Sequence, residues 1–530
     1  MDGACLSRKR LVAALALALG AASLFEVNAA PIASPANVDR ARDPYALRLS
    51  QRTARVMGVM PHRSTPHAPA DTLPVTSCLD DNSPGTLRSQ IAASGEGDVI
   101  DLSALTCSTI TLTQGPIDLS VLGDHHINDL SIVGPGAATL TIDGNDDRVF
   151  LHGDFQVGLG TLAISDVTIA NGNYTHGLAS CIDSSGNVEL TRTIVTDCHA
   201  SNGGPLTFGG AVSAAYLTMT SSTISDSSSS AAGDNVAIGG GAYVSGDATL
   251  VDSTISGNNV VALTPGDGTY YITAGGGLYV RGALTMTRST VSGNNLLTPD
   301  LENGPGGGIF VRADTSIDSS TFNGNSAANG GGLYKAVFSH YGDPGTTLTI
   351  TNSTFTGNGA FYGGGAIATQ RPTVIESSTI AINNGGPRSG GLWCLGDDPS
   401  VELQSTILAL NTYGTSGSAY DFGSENGFAV TGAANIVNAA DDAITLPADT
   451  LNVDPLLESL ADNGGSTRTL ALGEGSPALD AGNNAAGATF DQRGEGFARE
   501  SGVAADIGAF EVQQPENDRI FADGFELPAR

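Results

Sequence analysis

Apolar and polar residues alternate with period two through the middle of the chain, and the alternation returns in step with itself. Aligned on one recurring threonine, the residue six places earlier is Leu162, Leu217, Ala248, Leu284 or Leu348. Four places earlier stand Ile164, Met219, Leu250, Met286, Ile317, Ile350 and Ile375, and one place later Ile169, Ile224, Ile255, Val291, Phe322, Phe355 and Ile380. Mostly Thr, Ser, Asp and Asn lie between them. This pattern predicts strands with one buried face, and the recurrence of each apolar position predicts that those faces stack on one another. The phrase around the threonine reads Ser253-Thr254-Ile255-Ser256-Gly257-Asn258, with copies at 289–294, 320–325 and 353–358 and looser ones at Ser222, Ser378 and Ser405. Threonine spacings of about 25 to 36 residues mark a stacked repeat in which no unit buries its own core.

Glycine clusters open a further strand in each repeat, as in Gly240-Gly241-Ala242-Tyr243-Val244 and Gly276-Gly277-Leu278-Tyr279-Val280. Three short strands per rung, parallel between successive repeats, describe a coil. Asn258, Asn294, Asn325, Asn358 and Asn383 fall in one turn column, where Asn tolerates left-handed backbone and stacked amides bond rung to rung. With rungs about 4.8 Å apart, some ten of them make a rod roughly 50 Å long. Two places break the rule. Val188 and Leu190 stand one residue too close to Thr193, as Val401 and Leu403 do to Thr406. A shortened turn is expected there, because a one-residue slip would expose the core set. Thr86 to Ala93 predicts a short amphipathic helix that caps the open end of the stack.

Ahead of the repeats, Arg8-Lys9-Arg10 precedes an apolar run over 11–25, and Val27-Asn28-Ala29 supplies small residues for cleavage. This predicts a signal peptide over 1–29, cut after Ala29, with an uncleaved anchor as the alternative. Residues 30–74 read as a disordered lead-in rich in Pro, Ala and Arg. The solenoid with its N-terminal cap is expected over 75–450. The formal charge is −31, which repels nucleic acid and anionic membranes. No cofactor is expected, although calcium is compatible with so acidic a surface. Five cysteines remain after cleavage, and the local pairings Cys78–Cys107 and Cys181–Cys198 leave Cys394 over. No zinc-ligand spacing is present. Once the signal is removed no integral membrane span is expected, and the chain is expected to be a monomer.

The glycine-plus-Ser-Thr-Ile-Ser-Gly-Asn repeat resembles right-handed parallel β-helix proteins of bacterial cell surfaces, of the pectate-lyase-like type. Gly209-Gly210-Ala211-Val212, Gly364-Gly365-Ala366-Ile367, Phe322-Asn323-Gly324-Asn325 and Phe355-Thr356-Gly357-Asn358 are similar to the paired motifs of polymorphic outer membrane proteins. Asp454-Pro455-Leu456-Leu457, Gly475-Ser476-Pro477-Ala478-Leu479-Asp480, Asp491-Gln492-Arg493-Gly494 and Asp506-Ile507-Gly508-Ala509-Phe510-Glu511 resemble the choice-of-anchor Q module. The resemblance implies an all-β right-handed parallel β-helix, an irregular C-terminal cap over 451–512 and an extracellular or outer-surface location in a Gram-negative-type bacterium. It carries over no catalytic residue. About twenty residues follow Glu511, too few for a membrane barrel, and 513–530 holds a candidate sorting tail.

One column in the glycine-led strand comprises Val212, Tyr243, Tyr279, Phe310, Tyr334, Ile367 and Trp393. Its neighbours, such as Leu278 and Val280, are apolar and expected inward, so alternation points the column outward. Tyr243, Tyr279, Phe310, Tyr334 and Trp393 are therefore the candidate saccharide-binding stripe, rings about 4.8 Å apart being spaced to stack on sugars. The alternative is a ladder that stiffens the sheet under covering loops. Asp252 and Arg288, with Asp166 and Asn352 in the same column, are the nearest match to the acid-and-base sets of β-helical polysaccharide lyases. Such neighbours ordinarily form a solvated pair. Asp146-Asp147, Asp397-Asp398, Asp441-Asp442 and His125-His126 read as loop residues, and no nucleophile elbow or phosphate loop is present. The expected function is non-enzymatic adhesion or carbohydrate contact, with polysaccharide or a host or neighbouring cell surface as partner. A polysaccharide lyase or hydrolase and a structural spacer are the alternatives.

Overall fold

The computed structural model describes residues 70–514, except 120–126, 154–159, 176, 203–205, 232–235, 263–272, 298–303, 338–344 and 397–399. The expected signal peptide, most of the lead-in and the tail lie outside the described residues. The chain divides into two units, 1–62 and 63–530, and all that follows concerns the second.

One turn shows how the pattern folds. Ala242–Val244 lies in a first sheet, Ala248–Val251 in a second, Thr254–Ser256 in a third and Asn259–Ala262 in a fourth, before Leu278–Val280 returns to the first. Repetition yields sheets of 11, 13, 12 and 10 strands, whose neighbours pair in parallel apart from the terminal Thr412–Tyr413 with Ser418–Ala419. The fold is the expected right-handed parallel β-helix. Its three expected strands are joined by a fourth in most turns. Sequences such as Ser228–Ala231 hide that strand, because Ser and Asn dominate it. The first strand, Thr72–Pro74, lies inside the expected lead-in and pairs with Val99–Asp101.

The registers match the apolar columns. Met219 pairs Leu250, which pairs Met286, then Ile317, Ile350 and Ile375, and all are buried in a continuous core. No shortened turn rescues Thr193 or Thr406. Ile194 pairs Thr223 and Ile407 pairs Thr379, so both threonines stand in the serine column. Either residue supplies the γ-hydroxyl needed there. Thr193 N–H donates to Ser222 Oγ, and from Ser222 to Ser353 each N–H donates to the next turn's serine Oγ at 3.0–3.2 Å.

Two corners carry left-handed backbone. Between the second and third sheets, Asp166, Arg192, Ser221, Asp252, Arg288, Ser319, Asn352, Ser377 and Ser405 have φ of 44° to 58°. Between the third and fourth it is the residue before the asparagine, such as Gly257, Gly293 or Gly324 at 63° to 67°, rather than the asparagine itself. Relieved of that duty, the asparagines point inward. The backbone N–H and Nδ2 of Asn258 both donate to Asn294 Oδ1, and the pattern continues through Asn325, Asn358, Asn383 and Asn411 at 2.9–3.1 Å. Each Nδ2 also donates to a carbonyl one turn back, as Asn325 does to Val291. These amides are at most 1% exposed, so every one needs its partners.

Helix α1, Leu87–Ala93, caps the N-terminal end as expected, with Thr86 as N-cap and Leu87 and Ile91 inserted in the core. Cys78–Cys107 and Cys181–Cys198 are bonded, and Cys394 is free and buried. Val430 and Ile444 enter the core at the C-terminal end, with Phe428 and Leu446 packed against them. The module after 451 is irregular as expected, but it packs along the side of the stack. Gln492 reaches Thr321, Thr354 and Thr467, Ala509 N–H donates to Thr379, and Ser405 bonds Asn483. Thr321, Thr354 and Thr379 are consequently buried, while Thr223, Thr254 and Thr290 of uncovered turns are half-exposed.

Asn325→Ala should lower unfolding stability by roughly 3 kcal/mol or more, because each buried group left without a partner costs about 1–3 kcal/mol. Thr285→Ala, on the exposed face of the second sheet, should stay within about 0.5 kcal/mol. Denaturant unfolding followed by circular dichroism checks both, and equal small effects would contradict an energetic role for the amide column.

Candidate functional site

The expected aromatic stripe is built as a stack. Tyr243, Tyr279, Phe310 and Tyr334 occupy adjacent turns with ring centroids 4.8–5.7 Å apart and interplanar angles of 6–24°. The rings leave the main core, as alternation requires, while Leu278, Val280, Ile309 and Val311 face into it. The stripe is nevertheless not exposed. Tyr243, Tyr279, Phe310, Tyr334 and Trp393 are 3–8% accessible and form a second core with Phe208, Val236, Ile238, Ala274, Ala336 and Leu395. A three-stranded sheet of Leu206–Phe208, Val236–Ile238 and Thr273–Ala274 supplies several of these covering residues. Rings so covered offer no face to a sugar.

Val212 and Ile367 do not belong to that column. Ser213 pairs Tyr243, and Ala368 lies between Tyr334 and Trp393. The glycine cluster is three residues long, and Ala211 and Ala366 fill its third place, which displaces the count by one. Its second place needs glycine absolutely: a Cβ on Gly240 would lie 2.1 Å from the carbonyl oxygen of Gly276.

The acid–base candidates are satisfied by one another. Arg288 holds Asp252 through two bonds of 2.7 and 2.8 Å, and Arg192 holds Asp166 through two of 2.6 Å. Both pairs are solvated and screened, so they lend the fold little. Asp441 accepts the Tyr420 hydroxyl at 2.6 Å. Asp397-Asp398 and His125-His126 lie outside the described residues. Lys335, fully buried, gives its ammonium hydrogens to the carbonyls of Arg312 and Ala313. Among the described residues no three His, Cys, Asp or Glu side chains gather as a metal site. The second sheet carries a depression of about 350 Å³ lined by Asn187, Glu189, Tyr216 and Thr218.

Exposed rings do occur, on the fourth sheet near its C-terminal end. Strand Gly359–Gly363 places Phe361 at the surface with 47% of its area exposed, edge-on to Tyr362 at 5.0 Å. Two turns on, Tyr413 is 37% exposed and meets Tyr420 edge-on at 5.8 Å across the terminal hairpin. Between them Arg388 donates its backbone N–H to the Tyr362 carbonyl and lays its guanidinium 4.5 Å over the buried Trp393 ring. Arg388 Nη1 lies 3.8 Å from Glu425, whose other oxygen accepts Gly396 N–H. Burial and the Asp441 hydrogen bond together push the Tyr420 hydroxyl pKa up, so it stays a donor. Around Arg388 stand two carboxylates, Glu425 and Asp441, and the Tyr420 phenol with Tyr413 against it, while Phe361 faces outward two turns back. Phe361-Tyr362 and Tyr413 were visible in the sequence, but no glycine cluster announces their strands.

Compared with family models, curated proteins and solved structures, the chain matches none of them. No described helix is long and apolar enough to cross a membrane. The two disulfides fit an oxidising environment.

Three buried carboxyls respond to pH together. Burial raises Asp183 to about 6 against the pull of Arg148, Asp421 to about 6 against four hydrogen bonds, and Glu511 to about 7. In each the fold favours the uncharged form, so the stability it lends is complete below about pH 4 and is lost as pH rises through 6 to 7. Burial raises Asp506 in the same sense, while His152, lowered by burial, works in the opposite one, a single imidazole against four buried carboxyls. The melting temperature should therefore be a few degrees higher at pH 5 than at pH 8, and a steady fall on acidification across that interval would contradict the assignment.

Proposed function

We propose that this is an exported, non-enzymatic β-helix protein of a bacterial surface or its surroundings that contacts carbohydrate. The surface-exposed rings Phe361 and, two turns on, Tyr413, together with the half-exposed Arg388–Glu425 pair, carry the reading. A pyranose presents axial C–H groups on its face and hydroxyls at its edge. Rings take the first, while guanidinium, carboxylate and phenol take the second. The buried stack from Tyr243 to Tyr334 keeps a stiffening role. Support for export comes from the basic-then-apolar N-terminus ending in Val27-Asn28-Ala29 and from the disulfides. The side-packed module fits the choice-of-anchor Q resemblance, and the repeats fit that to polymorphic outer membrane proteins. A single chain suffices for the site, in keeping with a monomer.

Exported material should begin at Ala30, which N-terminal sequencing checks; retention of Met1 would favour an anchored form. Phe361→Ala/Tyr413→Ala should weaken retention on the immobilised polysaccharide that binds the parent protein. At about 0.5–1.5 kcal/mol per ring contact the loss is roughly tenfold or more. Thr285→Ala should leave retention unchanged. Equal retention by the double variant, with its melting temperature intact, would defeat the assignment of the site.

A further inference from the structure

We propose that the depression on the second sheet binds a sugar residue with a free amine, a 2-amino-2-deoxyhexose in its ammonium form. Four side chains line it, on the outward face of two adjacent strands, Asn187–Thr191 and Tyr216–Thr220. Asn187 stands opposite Tyr216 and Glu189 opposite Thr218. The four therefore frame a patch about 4.8 Å across the strands and about 6.6 Å along them. Their neighbours hollow it to about 350 Å³. One turn back from Glu189 the outward residue is only Ala163. On the other side the Tyr216 ring leans over the following turn at Gly246, where a Cβ would meet it at 2.8 Å.

The polar groups of this hollow are open. The Glu189 carboxylate is exposed and has no hydrogen bond or ion pair among the described residues, and the Tyr216 and Thr218 hydroxyls have no partner there either. Asn187 gives an amide hydrogen to Thr161 Oγ1 at 3.2 Å and keeps its Oδ1 as an acceptor. No cation lines the hollow, and Arg192, just past the first strand, is engaged by Asp166. An aromatic face beside an unpaired carboxylate complements an ammonium group, through cation–π attraction on one side and a charge-assisted hydrogen bond on the other. With one carboxylate the lining lacks the pair that glycoside hydrolysis uses, so it binds rather than cleaves. The choice of a sugar to carry the ammonium rests on the carbohydrate-contact reading, whereas the charge argument stands on the lining alone. A hexosamine lays its C–H face on Tyr216 and brings its hydroxyls to Asn187 and Thr218. Acetylation of the amine removes the charge that Glu189 meets, which sets the specificity. Glu402 isolates the part played by the ring. It is exposed in the same outward column as Glu189, but its neighbours are Val374 and Thr431.

The test titrates the mature full-length protein with the trisaccharides of glucosamine, N-acetylglucosamine and glucose, and with trilysine, followed by saturation-transfer NMR. About 150 mM NaCl screens diffuse attraction to the chain's formal charge of −31. The glucosamine trimer should bind about fivefold or more tightly than the other three, and Glu189→Gln and Tyr216→Ala should each weaken it by about as much. Glu402→Gln, which removes the same charge where no ring stands, and Phe361→Ala should leave it unchanged. Glu189→Gln alters an exposed side chain, so its melting temperature should match the parent's and keep the test readable if Tyr216→Ala unfolds. Glucosamine binding that survives Glu189→Gln would overturn the site. Equal binding by all three saccharides, weakened by that variant, would overturn the ammonium class and leave a carbohydrate contact. Equal binding by trilysine, weakened in the same way, would overturn the sugar. If the glucosamine trimer fails while Phe361→Ala/Tyr413→Ala still weakens polysaccharide retention, this inference falls alone. If no saccharide is held in either experiment, the carbohydrate reading falls with it.

Discussion

Everything else in the fold follows from the inward-turned amide at the corner between the third and fourth sheets. An Asn there accepts two hydrogens from the turn before it and donates two, from its backbone N–H and its Nδ2, to the turn after, so a buried polar group becomes a bolt between layers. A turn added one residue out of step would leave those groups unpaired in a dry interior, at a cost no surface interaction offsets. The column ends where its chemistry ends. Asp421 has no amide to donate, and its carboxylate accepts the N–H and Nδ2 of Asn411 and the N–H of Ala439. The hairpin lies between Asn411 and Asp421, and one further turn of parallel strands, Phe422–Ser424, Thr431–Ala433 and Ile436–Val437, precedes the end of the regular coil.

Locked register decides what each face becomes. Strand geometry alternates sides, so a column fixed inward at Leu278 and Val280 fixes Tyr279 outward, and successive turns lay Tyr243, Tyr279, Phe310 and Tyr334 on one another. On the first sheet that row is roofed and becomes a second core. On the fourth, the same rule turns Phe361 into solvent, whereas Tyr413 stands in the inward column of Ala360 and Gly385 and is exposed in the last turn of that sheet. The scaffold thus sorts similar rings into structural and surface roles by what covers them.

Local and periodic features were legible in the sequence. The apolar columns, the asparagine column, helix α1 and both disulfides depend on residues near one another or on a count that repeats. Features settled at a distance were hidden. Burial of the aromatic stack depends on covering residues such as Phe208 and Leu395, whose contact no alternation reveals. The side-on docking of the C-terminal module joins Gln492 to Thr321 across 171 residues, through hydroxyls that look the same in every repeat. Threonine alignment failed at Thr193 and Thr406 because serine and threonine offer the same hydroxyl, and glycine alignment failed at Val212 and Ile367 because alanine fits the third place of the cluster. The exposed rings escaped notice because the fourth strand reads as polar through much of the chain.

Register can be measured directly as a distance. Thr218 and Glu402 face outward on the second sheet in columns joined through Thr249, Thr285, Ser316, Thr349 and Val374. Spin labels at these two exposed positions, 184 residues apart in the chain, should give a narrow distance distribution. At about 4.8 Å per rung it should centre near 29 Å, within the reach of the label arms. A broad distribution, or one centred far from that value, would mean that the turns do not stack in the register on which the amide column depends.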